Sequence, residues 1–492
     1  MIALKNGLLY DGTGAAPRVE DVLIDDVRIA SIGAVPQGCP SLDCAGLAVA
    51  PGFIDLHSHS DLQVLEGRKE KVKQGVTTEV VGNCGFSPFP HGGNEEKLRE
   101  FGSGILGRSE GWGWQRAAEY LEAIASAGGP GGALPLAGHG SLRIAVAGPR
   151  QGALTTAELD RLQGLLADAL DAGCVGFSTG LMYAPGSSAP ADELVRLCGI
   201  VARRGKLYAT HMRSYGSGLV DAVREQLDLA RRSGCRLQIS HLQAAGRGNW
   251  DLQRRALDEI EAARSEGIDV EFDIYPYQCG STVLTQWLPQ WALDGGRAAM
   301  LSRLDDSSER ARIAADMEKD RAQEWSDITI SSVGSAANAA LVGTTLRDAA
   351  QAIDLLIEEG GIVNVISFNQ SETNLRELLT HPLCSVISDG FYVNGKAHPR
   401  LYGTFPELLG RVVRERKWMD LPEAIHKITG KPAGRLGGSG RGLLREGCSA
   451  DITVFDPARI GTKASYETPD VDPDGIHLVM REGRVVHGRG VM

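Results

Sequence analysis

Two histidines stand one residue apart in the segment PGFIDLHSHSD, at positions 57 and 59. In an extended chain, residues two apart point to the same side. His57 and His59 therefore project together from the end of the apolar run that precedes them, and paired imidazoles of this kind chelate a metal. Four more donors follow apolar runs in the same way: Cys84 in GNCG, His211 in ATHMR, His241 in ISHLQ and Asp389 in ISDG. Taken singly each has a plain structural role, as a small core residue, a loop histidine or a turn aspartate. A thiol, four imidazoles and a carboxylate at five of these run ends, in order along the chain, point instead to one metal centre. Sulfur, nitrogen and oxygen donors together suit Zn2+, which would hold Cys84 as thiolate.

The elements that must bring these residues together are written as a repeat. Strand-like apolar runs recur at 48–56, 77–82, 134–138, 175–178, 207–210, 237–240, 270–274 and 385–388, and helical patterns such as 157–172, 219–233 and 252–266 lie between many of them. A strand followed by a helix, repeated about eight times, predicts a parallel (β/α)8 TIM-type barrel spanning 51–435. In such a barrel the C-terminal ends of all strands meet on one face, so the six donors converge without being close in sequence. One interval, from Tyr275 to Asp389, is too long for a single unit. It predicts an insertion after strand seven, at about 283–345, with a charged helical run at 297–324. Placed over the active face, that insertion is expected to act as a lid. Short alternating runs at both chain ends, in 1–34 and at 451–455, 476–479 and 484–487, predict one small β-sandwich domain built from 1–50 plus 436–492.

Composition limits the function classes. The chain has 492 residues, 42% hydrophobic and 23% charged, so a large core is available. The 62 glycines agree with many tight connections between strands and helices. A net charge of −11 disfavours nucleic acid as a partner. No apolar stretch approaches the ~18 residues of a membrane span, and the N-terminus lacks the pattern of a signal peptide, so no membrane partner is expected. Nine scattered cysteines without a CxxC pair suggest a reducing, cytoplasmic compartment. No heptad or interface stripe speaks to oligomeric state.

These motifs resemble the amidohydrolase superfamily and, more closely, its N-acyl-D-amino-acid deacylase (D-aminoacylase) family. The resemblance runs through PGFIDLHSHSD, TTEVVGNCG, GHGSLR, GFSTGLMYAPG, ATHMRSYG, ISHLQAAG, DIYPY with the following ST, ISDG and HPRLYGTFPELLG, and it extends to the tail RGLLREGCSADITVFDP. It implies a tightly held zinc on Cys84, His211 and His241, and a second, weaker metal position on His57, His59 and Asp389. It implies that Asp389 is the catalytic base and then acid in the hydrolysis of N-acyl-D-amino acids to a D-amino acid and a carboxylic acid. Many superfamily members carry a bridging lysine after strand four; GFSTGL has none, and Cys84 takes its place. Arg400 corresponds to the arginine that holds the substrate α-carboxylate, a role a guanidinium fork fits. Tyr183, Tyr275 and Ser281 match residues near the substrate, and His139 is a candidate for shaping the pocket. One position departs from the family: after ISHL the best-known members have lysine, and this chain has Gln243. Glutamine keeps hydrogen bonding and loses the charge, which favours a neutral or apolar side chain on the substrate. Opening of a cyclic amide, and a non-catalytic amidohydrolase-like scaffold, are the alternatives.

Overall fold

In the computed structural model, residues 1–107, 112–319, 321–393, 395–438 and 440–488 are described. Eight parallel strands form one sheet in sequential order: β1 (Phe53–Asp55), β2 (Val76–Val81), β3 (Gly132–Gly138), β4 (Gly176–Gly180), β5 (Leu207–His211), β6 (Arg236–Ile239), β7 (Val270–Ile274) and β8 (Cys384–Val386). β2, β4 and β5 are buried along their whole length. They are buried because helices cover the outer face while side chains fill the inside. The helices are amphipathic. Leu219–Ser233 buries Leu219, Val223, Leu227 and Ala230 and turns its arginines outward. Thr156–Ala172 begins at a capping box in which Thr155 and Glu158 each accept from the other's backbone N–H.

The seam between the first and last strands is closed just beyond their ends. The Asp389 N–H donates to the His57 carbonyl at 2.8 Å, and the His59 N–H donates to the Gly390 carbonyl at 3.0 Å. Closing the barrel and assembling three of the six donors are thus one event.

The run 48–56 divides at Gly52 into Ala48–Pro51 and β1. The first piece pairs with Ile452–Phe455 in a six-stranded sheet that also contains strands from both chain ends. A second, four-stranded sheet comes from the N-terminal segment alone, and Leu4, Ile24, Val49, Ile452 and Leu478 share a core between the two. Gly52 marks the corner: a Cβ there would lie 2.2 Å from Thr77 Oγ1. Only glycine lets the chain pass from one sheet to the other against β2.

After β7 the chain leaves the barrel. Cys279–Val283, Ile328–Ser332 and Asn364–Phe368 form an antiparallel sheet with the last of these in the centre. With the helices Arg297–Asp305, Ser307–Lys319 and Ala349–Glu358 this excursion has its own apolar core, including Leu284, Leu304, Ile313, Ile353 and Val365. The charged run 297–324, expected as one helix, is two. It breaks at Asp306, whose carboxylate accepts from the N–H groups of Ser308 and Glu309 and so starts the second helix. No helix among the described residues is long and apolar enough to cross a membrane.

Candidate metal centre

Five strand ends deliver the six donors to one place. Cys84 Sγ lies 3.3 Å from His57 Nε2 and 3.5 Å from His241 Nε2. His211 Nδ1 lies 3.2 Å from His241 Nε2. Asp389 Oδ1 lies 3.4 Å from His57 Nε2 and 3.3 Å from His59 Nε2. Two sets of converging donors result: His57, Cys84 and His241, and His57, His59 and Asp389. His57 belongs to both, and His211 reaches the first through His241. Donors around one tetrahedral zinc, at bond lengths of about 2.0–2.3 Å, stand roughly 3.3–3.8 Å apart. The observed spacings fall in that range or within 0.1 Å of it, so the residues fit the ion.

Electrostatics at His211, His241 and Asp389 agree with that fit. Burial pushes His211 down to about 3, and burial, with help from neighbouring imidazoles, lowers His241 well below the ordinary histidine range. Neutral rings of this kind keep a lone pair for a cation. Burial acts to raise Asp389, but Arg400 and His57 outweigh it and hold the carboxyl well below its usual range. Burial raises the Cys84 thiol; a metal would reverse this by binding the thiolate.

Backbone geometry marks the same residues. Among the described residues, seven that are not glycine have positive φ, and three of them are Cys84 (53°), His241 (35°) and Asp389 (48°). Cysteine seldom adopts this conformation, and such strain persists where the surroundings fix it. Cys84 is held by its neighbours. A Cβ on Gly82 would lie 2.3 Å from the Leu136 carbonyl oxygen, and one on Gly85 2.8 Å from the Gly180 nitrogen. The same wedge keeps any side chain out of the last position of β4: a Cβ on Gly180 would lie 2.0 Å from the Cys84 carbonyl oxygen. The Cys84 loop fills the space a side chain would need.

Asp273, the first residue of the DIYPY motif but given no role in the motif reading, also supports the centre. It accepts from the His241 N–H at 2.7 Å and from Gln238 Nε2 at 2.9 Å, and it lies 3.7 Å from His57 Nδ1. It thus orients two donors from behind. Its sequence signal is an acid between Phe272 and Ile274 in an apolar strand. Lys71, also unremarked, forms buried ion pairs with Asp55 and Glu79 beneath the seam.

The donors other than His57 line a cavity of about 650 Å3. Arg400 is fully buried and reaches it: Nη1 lies 2.9 Å from Asp389 Oδ2, Nη2 donates to the Ser281 carbonyl at 3.1 Å, and among the described residues Nε has no acceptor. The Tyr275 ring lies under the guanidinium at 4.6 Å. Tyr183 packs on His211, ring centres 4.8 Å apart, and its hydroxyl is 3.3 Å from Thr282 Oγ1. Gln243 Oε1 accepts from Tyr275 Oη and Asn369 Nδ2, both at 3.2 Å. Ser281 joins the site through its backbone carbonyl. His139 does not line the cavity. It lies buried against Glu193, at 2.8 Å, in a structural cluster with Arg143.

The sequence matches the amidohydrolase family over residues 41–487. This chain belongs to that family. Within it the chain stands in the D-aminoacylase branch. It is 36% identical to the N-acyl-D-aspartate deacylase of Alcaligenes xylosoxydans xylosoxydans over 98% of this chain and 91% of that one. It is 32% identical to the D-aminoacylase of the same organism, over 99% of this chain and 94% of the other. The crystal structure of N-acyl-D-glutamate deacylase from Bordetella bronchiseptica superimposes with a TM-score of 0.85 at 33% identity, covering 99% of this chain and 96% of the other. That crystal contains zinc and a phosphonate inhibitor mimicking the tetrahedral intermediate. This amidohydrolase is therefore a (β/α)8-barrel hydrolase of carbon–nitrogen bonds.

Proposed function

We propose that this amidohydrolase cleaves the amide bond of N-acyl-D-amino acids, using zinc and releasing a D-amino acid and a carboxylic acid. The observation that carries the proposal is the placement of Arg400 beside Asp389 at the edge of the donor cluster, 2.9 Å from its carboxylate. A carboxylate anchor and a proton-transferring group then flank one amide. The restriction to D substrates is taken from the named relatives.

Cys84 and His241 anchor the first metal position with His211, and His57, His59 and Asp389 supply the second. As the side chains lie, His57 stands within reach of both. Zinc, when bound, supplies Lewis acidity and an acidified water. The rest is done by the chain. Arg400 offers Nη1, which now faces Asp389, to the substrate α-carboxylate. Tyr183 and Tyr275 confine the amide between them. Asp389 takes the proton of the attacking water and gives it to the leaving nitrogen as the C–N bond breaks. Ser281 fixes Arg400, and Gln243 presents a neutral amide to the substrate side chain, which favours neutral or apolar D-amino acids.

The reading includes the division of the chain into a terminal β domain (1–50 plus 436–492) and the barrel (51–435), with 283–345 as a lid. Supporting the lid, Trp287, Met317 and Gln323 of the excursion line the cavity above the donors.

The test is hydrolysis of matched N-acetyl-D- and N-acetyl-L-amino acids by zinc-loaded protein, followed as free amine. Activity confined to the D series is expected. Cleavage of cyclic amides in place of both series would overturn the proposal.

A further inference from the structure

Resting on the deacylase reading, we propose that a second, apolar cavity beside the metal centre is the subsite for the substrate's acyl chain, and that it selects straight-chain acyl groups of about six to eight carbons over acetyl.

This cavity, of about 140 Å3, lies where the excursion meets the barrel loops. Phe101, Val283, Met300 and Ile362 contribute to its lining, which is mainly apolar. It adjoins the larger cavity, because Ile105, Met182, Tyr183 and Gln286 line both. Its outer rim is polar: Glu100 pairs with Lys97 at 3.2 Å and faces Arg297 at 3.8 Å.

The order of groups along one strand sets the direction of the substrate. In Cys279–Val283, the Ser281 carbonyl holds Arg400, the Thr282 hydroxyl meets Tyr183, and Val283 lines the apolar cavity. A substrate with its α-carboxylate on Arg400 and its amide over the donors has its acyl carbon on the far side of the amide from Arg400. That side is Tyr183, and beyond Tyr183 the open space is this cavity. The other branch of the large cavity is polar, with Gln243, Asn369 and Gln323, and suits the amino-acid side chain. A cavity of ~150 Å3 is large enough for benzene, so this one holds about six carbons.

The experiment uses zinc-loaded protein and the N-acetyl, N-hexanoyl and N-octanoyl derivatives of D-leucine, measuring kcat/KM and, separately, binding by calorimetry. The octanoyl compound is expected to exceed the acetyl compound by at least about tenfold in kcat/KM, from burial of its methylenes. Thr285→Trp and Ile362→Trp, at partly exposed positions on the cavity wall, should each abolish that advantage and leave the acetyl rate within about twofold. Acetyl hydrolysis with no dependence on chain length would overturn the subsite and leave the deacylase reading standing. So would equal losses on acetyl and octanoyl substrates in both variants. Tighter binding of the octanoyl compound, lost in Thr285→Trp but with no hydrolysis of any derivative, would overturn the deacylase reading and support the cavity as the chain's site.

Discussion

Asp389 does three things at once. Its backbone N–H closes the barrel seam, one carboxylate oxygen faces His57 and His59, and the other meets Arg400. Asp389→Asn keeps the shape and removes the proton acceptor. It should lower kcat by about 10²–10⁴ while zinc content, measured by atomic absorption, stays close to that of the unaltered protein. Retention of turnover within a few fold would remove Asp389 from the proton path. Gln243 bears on specificity. Gln243→Lys puts a cation beside Tyr275 and Asn369, and kcat/KM ratios should then shift toward D-aspartate and D-glutamate substrates relative to D-leucine, by tenfold or more if the new pair is desolvated.

At the scale of elements, the strain at Cys84 is maintained by close packing of the loop after β2 on β4. Gly180→Ala drives a methyl into the Cys84 carbonyl. We expect zinc affinity, read by competition with a chromogenic chelator, to fall about 10–100-fold, the scale seen when the groups supporting a ligand are disturbed. Away from the centre, Glu193 on helix Ala191–Arg203 ties down Arg143 and His139 on helix His139–Ala147. Burial acts to raise its carboxyl, but His139 and Arg143 outweigh burial and lower it. A depressed folded-state value means the contribution is complete above the unfolded glutamate range, ~4.3, and is lost as pH falls through the lower folded value. Glu193→Ala leaves Arg143 buried without its partner and should cost about 3–5 kcal/mol in denaturant unfolding at pH 7, with a weaker dependence on acid below pH 4.3.

On the scale of the molecule, the metal centre joins strand ends from β1, β2, β5, β6 and β8, so binding there and folding are linked. Removing zinc with a chelator should lower Tm by several degrees. Readdition should restore it, because a ligand at a hundred times its Kd adds about 2.7 kcal/mol to the folded state. An unchanged Tm in protein shown to be metal-free would mean that the six donors hold no structural load.

Much of this was legible in the chain. The alternation of apolar runs with helical patterns predicts the barrel because each unit is local, and a strand followed by a helix has one common way to repeat. The donors could be named because each sits directly after an apolar run, and the end of a barrel strand is always on the same face. Strand and helix limits were less legible. The run 48–56 reads as one strand interrupted at Pro51-Gly52, and the structure makes it two strands in different sheets, with Gly52 packed too close to Thr77 for any side chain. The sequence by itself determined the fold class and the types of donor, since hydrophobic periodicity and residue chemistry are properties of short segments. Only the tertiary structure decided how the donors group, with His57 shared between two sets and Asp273 behind them, and that an apolar cavity opens beside Tyr183. Those facts depend on distances between residues far apart in the chain, set by barrel closure and by the packing of the excursion on the loops, and no local pattern encodes them.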